Sequence, residues 1–146
     1  MKSPGQISAK INNLIFVSLA AAVAYRCGLR HIVIGSSSAT LPIFGDCREE
    51  TFQALQCALN LGMERDFVLE TPLMWLDKAA IWRLAVELGR EVLVDLIVEQ
   101  THTCYRGERE QRHDWGYGCG TCPACETRAE GFAQFRKQRQ FADAAE

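Results

Sequence analysis

The chain has no run of roughly 20 uncharged apolar residues, so no segment has the length of a membrane-spanning helix. The apolar stretch Leu14 to Tyr25 is too short for that and reads as a buried helix. It also lacks a small-residue cleavage site, so no secretory signal is read and the expected location is cytoplasmic. An excess of positive charge is missing too. Sixteen Lys and Arg stand against 18 Asp and Glu, which argues against a general nucleic-acid binder. Carboxylates are absent from residues 1–44, which hold Lys2, Lys10, Arg26 and Arg30. That basic third either faces an anionic ligand or carries scattered, solvated cations. Residues 45–99 are acidic, and residues 100–146 are balanced but densely charged. With 48% hydrophobic and 23% charged residues, the 146-residue chain has the composition and length of a folded domain.

What is present in quantity is cysteine, and four of the seven cluster by spacing. Cys104 is followed by Gly118-Cys119-Gly120-Thr121-Cys122-Pro123-Ala124-Cys125. A Cys-x2-Cys-x2-Cys run with a fourth thiol upstream can close a tetrahedral sulfur site, usually around zinc at about 2.3 Å from each sulfur. Glycines flanking Cys119 and a proline after Cys122 suit a tight knuckle whose backbone amides turn toward the sulfurs. An iron–sulfur cluster, a disulfide pair or free thiols are the alternatives. A four-thiolate site is closed and therefore structural. His102 and His113 lie nearby in sequence and are possible substitutes for one thiol. Of the others, Cys27 and Cys57 sit in apolar helical patterns and are expected in the core, while Cys47 falls in a loop between Asp46 and Arg48.

The periodicity predicts an arm over residues 1–11, a helix over about 13–27 capped by Asn12 or Asn13, and a stop at Gly28. That helix is apolar nearly all round, so it is expected to be central. His31-Ile32-Val33-Ile34-Gly35 reads as a buried parallel strand. A Ser-rich loop follows; Asp46 then caps a helix of about 47–62, closed by Gly62. Residues 67–71 form the next strand. Asp77 caps a third helix that Gly89 stops, and a shorter helix runs over about 91–98. The knuckle and a last helix of about 125–138 complete the chain, with a frayed tail after Phe141. These elements divide into a partial α/β domain over 1–103, a knuckle with its helix over 104–138, and a tail over 139–146. Helix–strand–helix–strand–helix is half of a layered α/β fold, and two parallel strands do not make a viable sheet alone. Further strands are therefore expected from another chain or segment.

Three segments in order carry a family resemblance: Gly45-Asp46-Cys47-Arg48-Glu49-Glu50, then Glu70-Thr71-Pro72-Leu73-Met74-Trp75-Leu76-Asp77-Lys78, then Thr103-Cys104-Tyr105 with the Cys119, Cys122 and Cys125 run. Over about residues 12–135 they resemble the C-terminal part of the 7-cyano-7-deazaguanine synthase (QueC) family of queuosine biosynthesis. The resemblance implies an adenine-nucleotide alpha-hydrolase-like (Rossmann-like) α/β fold with a structural zinc on Cys104, Cys119, Cys122 and Cys125. It also implies ATP-dependent conversion of 7-carboxy-7-deazaguanine to a nitrile by way of an amide. A carboxylate is a poor electrophile until its oxygen joins a leaving group. Adenylation does this, and cations lower its barrier by neutralising the phosphates. The resemblance makes Lys78 and Arg48 the candidate catalytic cations, and Asp46 and Arg48 the candidate substrate-binding residues, Asp46 accepting from a guanine-like edge. Read without it, Lys78 is a first-turn lysine, Asp46 an N-cap and Arg48 a surface ion-pair partner. Cys47 has no His neighbour in sequence and is not expected to be a nucleophile.

The chain departs from the family in its ligand-side motifs. The family's Ser-Gly-Gly-x-Asp-Ser loop, which wraps the ATP pyrophosphate, does not occur; Ser36-Ser37-Ser38 lacks the glycines. The family's Pro-Gly-Arg-Asn is here Lys10-Ile11-Asn12-Asn13, and the residues near Ala39-Thr40 also differ. ATP and Mg2+ are therefore expected to bind only with a partner chain that supplies the phosphate loop and missing strands. A non-catalytic scaffold, a truncated piece, and a related ligase-like enzyme with another acceptor are the alternatives. A deazaguanine ligand, a homodimer and no membrane partner are the further expectations.

Overall fold

A computed structural model describes residues 12–38 and 45–143, with two compact units, Met1–Trp75 and Leu76–Glu146. The expected arm, the Lys10-Ile11 pair and the Ala39–Phe44 stretch lie outside the described residues. The architecture is mixed α/β. The first unit holds α1 (Asn12–Cys27), β1 (His31–Val33), a 3-10 turn (Gly45–Cys47), α2 (Glu49–Met63) and β2 (Val68–Glu70). The second holds α3 (Lys78–Gln100), β3 (Arg112–His113), β4 (Gly116–Tyr117) and α4 (Pro123–Asp143). No helix among the described residues is long and apolar enough to cross a membrane.

β1 and β2 pair in parallel, with His31 opposite Val68 and Val33 opposite Glu70. Side chains alternate along each strand. Ile32, Ile34, Phe67 and Leu69 turn to the side where α1 and α2 pack. His31, Val33 and Glu70 turn to the other and are exposed, His31 and Glu70 pairing at 2.5 Å. α1 ends as expected at Gly28, in the left-handed region at φ 67°, where the amide of Leu29 bonds back to Ala24 O at 2.8 Å.

Several expectations are corrected. α1 is not surrounded: it buries only the small-residue stripe Val17, Ala21 and Ala24 and exposes Ile15, Phe16, Leu19 and Val23. Cys27 and Cys57 are exposed instead of in the core, because helical rotation carries each off the buried stripe of its helix. Asp46 does not cap α2. That helix starts at Glu49 behind an extended Arg48 that makes no side-chain cap bond. Nor does Gly62 close it: the helix runs to Met63, and Glu64 takes the left-handed cap at φ 51°. The final helix starts at Pro123, before the expected position, and continues to Asp143.

In the second unit Asp77 caps α3 as expected, accepting from the amide of Ala80 at 2.7 Å. The two expected helices are one segment with a bend at Arg90, at φ 54° and ψ −155°. Gly89 sits at the bend because a Cβ there would lie 2.5 Å from Leu93 Cβ. α3 and α4 cross closely at Gly131, where a Cβ would fall 2.2 Å from Lys78 Cβ. Beneath this crossing Trp82, Phe132 and Phe135 form an aromatic cluster, with Trp82 edge-on to Phe132 at 4.9 Å. Phe132 and Phe135 are thus core, whereas Phe141 is exposed.

Candidate metal centre

Cys104 lies in the loop after α3, Cys119 and Cys122 between β4 and α4, and Cys125 in the first turn of α4. The four Sγ atoms all lie within 4.8 Å of one another, so the thiols gather as their spacing suggested and can hold a metal ion. A single ion with sulfurs at about 2.3 Å in a tetrahedron needs sulfurs about 3.8 Å apart, within reach of this geometry. Neither His102 nor His113 belongs to the group. His102 Nε2 meets Glu108 O at 2.7 Å, and His113 Nε2 meets Gly118 O at 2.9 Å while its ring stacks on Trp115.

Backbone amides point at the sulfurs. The N–H of Thr121 is the main reason the Cys119 thiol falls to about 6, with the Thr121 hydroxyl and the N–H of Cys122 also contributing. The N–H of Cys119, with those of Arg106 and Glu108, holds the Cys104 thiol below the usual range. Burial pushes the Cys125 thiol up to about 12. A coordinated cation reverses that tendency, since a ligating thiol is deprotonated. N–H···S bonds of this kind orient the ligands and spread their charge.

Glycines make the close approach possible. A Cβ on Gly118 would sit 2.7 Å from Cys125 Sγ, 3.2 Å from Trp115 Cη2 and 3.3 Å from Cys104 Cβ. Gly120, in the left-handed region at φ 72°, leaves space for the His113 ring, whose Cε1 a Cβ would approach to 3.1 Å. The β3–β4 hairpin holds this wall, with Arg112 paired to Glu99 at 2.5 Å and Tyr117 donating to Glu99 Oε2 at 3.0 Å.

Arg128 is a structural residue that the sequence pattern does not reveal. It is buried, and its guanidinium donates to Trp115 O at 2.8 Å, Thr101 Oγ1 at 2.9 Å and Ile97 O at 3.1 Å. A longer bond of 3.3 Å reaches Thr103 Oγ1. It thereby ties the end of α3, the Cys104 loop and the hairpin to α4. Cys104, Cys122 and Cys125 share one core with Trp82, Trp115 and Phe132, so the thiol site and the α3–α4 packing form one body.

The remaining candidates fall in two places. Asp46 is buried in the 3-10 turn and accepts from the backbone N–H of Asn13 at 3.1 Å, so it serves the first turn of α1. Asn13 Nδ2 donates to Cys47 Sγ at 3.2 Å, and Ser36 also bonds that sulfur. Burial, then the Asp46 charge, raises the Cys47 thiol pKa, which keeps it protonated. Arg48 is exposed beside this cluster. Past the ends of the strands, Ser38 donates to Met74 O from both amide and hydroxyl, and Thr71 Oγ1 donates to Glu49 Oε2 at 3.0 Å. The Ser36–Ser38 and Thr71–Met74 loops are thus joined at the carboxyl ends of β1 and β2, where open α/β sheets collect ligands. The sequence marked Asn13 only as a possible helix cap and Ser36 only as part of a Ser-rich loop; their contacts with Cys47 were not legible there. Lys78 is half-buried at the first position of α3, in the other unit.

Comparison with known proteins identifies the lineage. The model of the family described as queuosine biosynthesis protein QueC matches residues 7–136. A 7-cyano-7-deazaguanine synthase of Azorhizobium caulinodans is 63% identical over 127 residues, 87% of this chain and 53% of the relative. The Methylorubrum extorquens (strain PA1) protein of the same name is 61% identical over 87% of this chain and 52% of its own length. That of Halorhodospira halophila is 60% identical over 85% and 50%. The chain spans about half the length of the curated relatives it matches. With the motifs and the four-thiol centre inside the matched stretch, the chain belongs to the QueC family of queuosine biosynthesis proteins.

Proposed function

We propose that this chain is the C-terminal subunit or fragment of a 7-cyano-7-deazaguanine synthase-like enzyme. In this proposal it takes part in the ATP-dependent conversion of a 7-deazaguanine carboxylate to a nitrile and needs a partner segment for ATP and Mg2+. The carrying observation is the family match over residues 7–136, against relatives of about twice the matched length. The absence of a Ser-Gly-Gly-x-Asp-Ser sequence supports the need for a partner. The parallel β1–β2 pair with helices on one side is compatible with part of an adenine-nucleotide alpha-hydrolase-like, Rossmann-like sheet.

In this proposal Cys104, Cys119, Cys122 and Cys125 hold zinc. The ion is structural: it joins the Cys104 loop to the first turn of α4 and leaves no coordination position for substrate. Zinc is favoured over an iron–sulfur cluster because all four sulfurs converge on one point, whereas cluster ligands bind separate irons and stand farther apart. Asp46 retains acceptor capacity beyond its bond to Asn13 and is assigned to the N–H edge of the deazaguanine. Arg48 and Lys78 are assigned to negative charge developing as the carboxylate is activated.

The test is co-purification with candidate partners, followed by ATP–pyrophosphate exchange with 7-carboxy-7-deazaguanine. The expected result is exchange only when a chain bearing the phosphate loop is present. No exchange in any combination sinks the synthase assignment and leaves a scaffold.

A further inference from the structure

Asp46 is 4% exposed, so its carboxylate depends on protein donors. Among the described residues two donors reach it. The backbone N–H of Asn13 meets Oδ2 at 3.1 Å, and the thiol of Cys47 meets Oδ1 at 3.9 Å. The second bond is long and its donor weak, but the rest of the cluster fixes the direction of the thiol proton. Asn13 Nδ2 reaches Cys47 Sγ at 3.2 Å, and the Ser36 hydroxyl bonds the same sulfur. An amide NH2 group only donates, so toward Asn13 the sulfur is the acceptor. A carboxylate only accepts, so toward Asp46 the sulfur is the donor.

Asn13 therefore holds the 3-10 turn twice, by its backbone at Asp46 and by its side chain at Cys47, across 33 and 34 residues of sequence. Ser36, just past β1, holds the sulfur from another element. Burial and the Asp46 charge keep the thiol protonated, so the donor stays available. A carboxylate offers about four acceptor positions, and one bond on each oxygen leaves further positions on both. With both oxygens held, the direction of those remaining positions is set before any ligand arrives.

We propose that Cys47 is a positioning residue for Asp46: its thiol, held by Asn13 and Ser36, fixes the carboxylate so that the remaining acceptor positions meet the N–H edge of the deazaguanine. This rests on the assignment of Asp46 to that edge proposed above. Cys47 forms no bond to the substrate and exchanges no proton with it. It acts only through the carboxylate beside it.

The variants are Cys47→Ala, Asp46→Ala and the two combined. Each full chain is joined with the chain bearing the phosphate loop, and KM and kcat for 7-carboxy-7-deazaguanine are measured in ATP–pyrophosphate exchange. Cys47→Ala is expected to raise KM about three- to tenfold, the loss of one hydrogen bond's contribution, with kcat within about twofold of wild type. In the Asp46→Ala background the same change should move KM by less than about twofold, because no carboxylate is left to hold. A thiol that only fills space would lower the melting temperature and leave KM unchanged.

Residue-level amide exchange in the full chain gives a readout that does not depend on activity. The Asn13 N–H lies in the first turn of α1, before the helix's own ladder begins, so Asp46 is the acceptor that protects it. In Cys47→Ala it should exchange at least about threefold faster. The Ala21 and Ala24 amides should stay protected, showing that α1 is intact. Wild-type KM in Cys47→Ala overturns the positioning role. So does an equal rise in KM with and without the Asp46 carboxylate, or an unchanged Asn13 amide. Absence of pyrophosphate exchange in wild type overturns the synthase reading, and the substrate assignment here falls with it; a faster Asn13 amide in Cys47→Ala would then place the failure in that reading and not in the contact.

Discussion

Replacing Gly118 by alanine puts a methyl carbon 2.7 Å from Cys125 Sγ, about 0.7 Å inside the ordinary limit of contact. The carbon has no retreat, because Trp115 Cη2 at 3.2 Å and Cys104 Cβ at 3.3 Å bound it on other sides. Trp115 is itself stacked on His113, so the ring cannot swing aside without losing that contact. The sulfur must move, and a sulfur at its ligand position moves only by distorting the metal geometry. Overpacking of this kind costs about 1–3 kcal/mol, and disturbing a metal's supporting shell typically weakens metal affinity about 10–100-fold. Gly118→Ala should therefore lower metal affinity by at least about tenfold, measured by competition with a chromophoric chelator, and should lower the melting temperature of the loaded protein. Gly62→Ala is the control. Nothing lies within 4 Å of its would-be Cβ on α2, so it should stabilise by about 0.5–1 kcal/mol. Wild-type metal affinity and melting in Gly118→Ala would refute the close-packed knuckle.

Arg128→Met should destabilise by about 2–4 kcal/mol in denaturant unfolding, because it orphans the buried Trp115 carbonyl and removes the ties to Ile97 O and Thr101 Oγ1; Arg128→Lys should not restore the loss. The Arg112 hydrogen bond, followed by that of Tyr117, holds the Glu99 carboxyl below its ordinary range. Its contribution is then complete above the unfolded glutamate value near about 4.3 and is lost as pH falls through the lower folded value. A carboxyl NMR titration should place Glu99 below the ordinary glutamate value, and Arg112→Gln should move it up; an unchanged midpoint would contradict the pairing. With metal bound, Cys27 and Cys57 should react rapidly with a thiol reagent while the four knuckle cysteines resist, and chelation should expose those four together. Cys27→Ser and Cys57→Ser should each change stability by less than about 0.5 kcal/mol.

The parts legible from the sequence are those whose physics is local. Three of the four thiols lie within seven residues, so their convergence follows from one turn; Cys104 needed only a loop to bring it back. Gly28 and Asp77 were readable for the same reason, each acting on its own helix end. Asp46 was misjudged as the cap of α2 because its partner, the Asn13 amide, is 33 residues away, and nothing in the Asp46 neighbourhood announces it. Burial of the Cys27 and Cys57 side chains was inferred from apolar neighbours, but α1 packs only through a stripe of small residues. Arg128 gave no signal, since a charged residue on a polar helix reads as solvated until the hairpin closes over it. The bonds from the Phe67 and Leu69 amides of β2 to Asn60 Oδ1 and Gln56 Oε1 were equally hidden, because Gln56 and Asn60 look like ordinary helix-surface amides until β2 lies beside them.

The four-cysteine centre is the part of the site where the geometry makes its most definite claim, and metal analysis with X-ray absorption tests it most directly. One zinc per chain with four sulfurs at about 2.3 Å is expected. Iron with inorganic sulfide, a shell containing imidazole from His102 or His113, or well under one zinc per chain would contradict it.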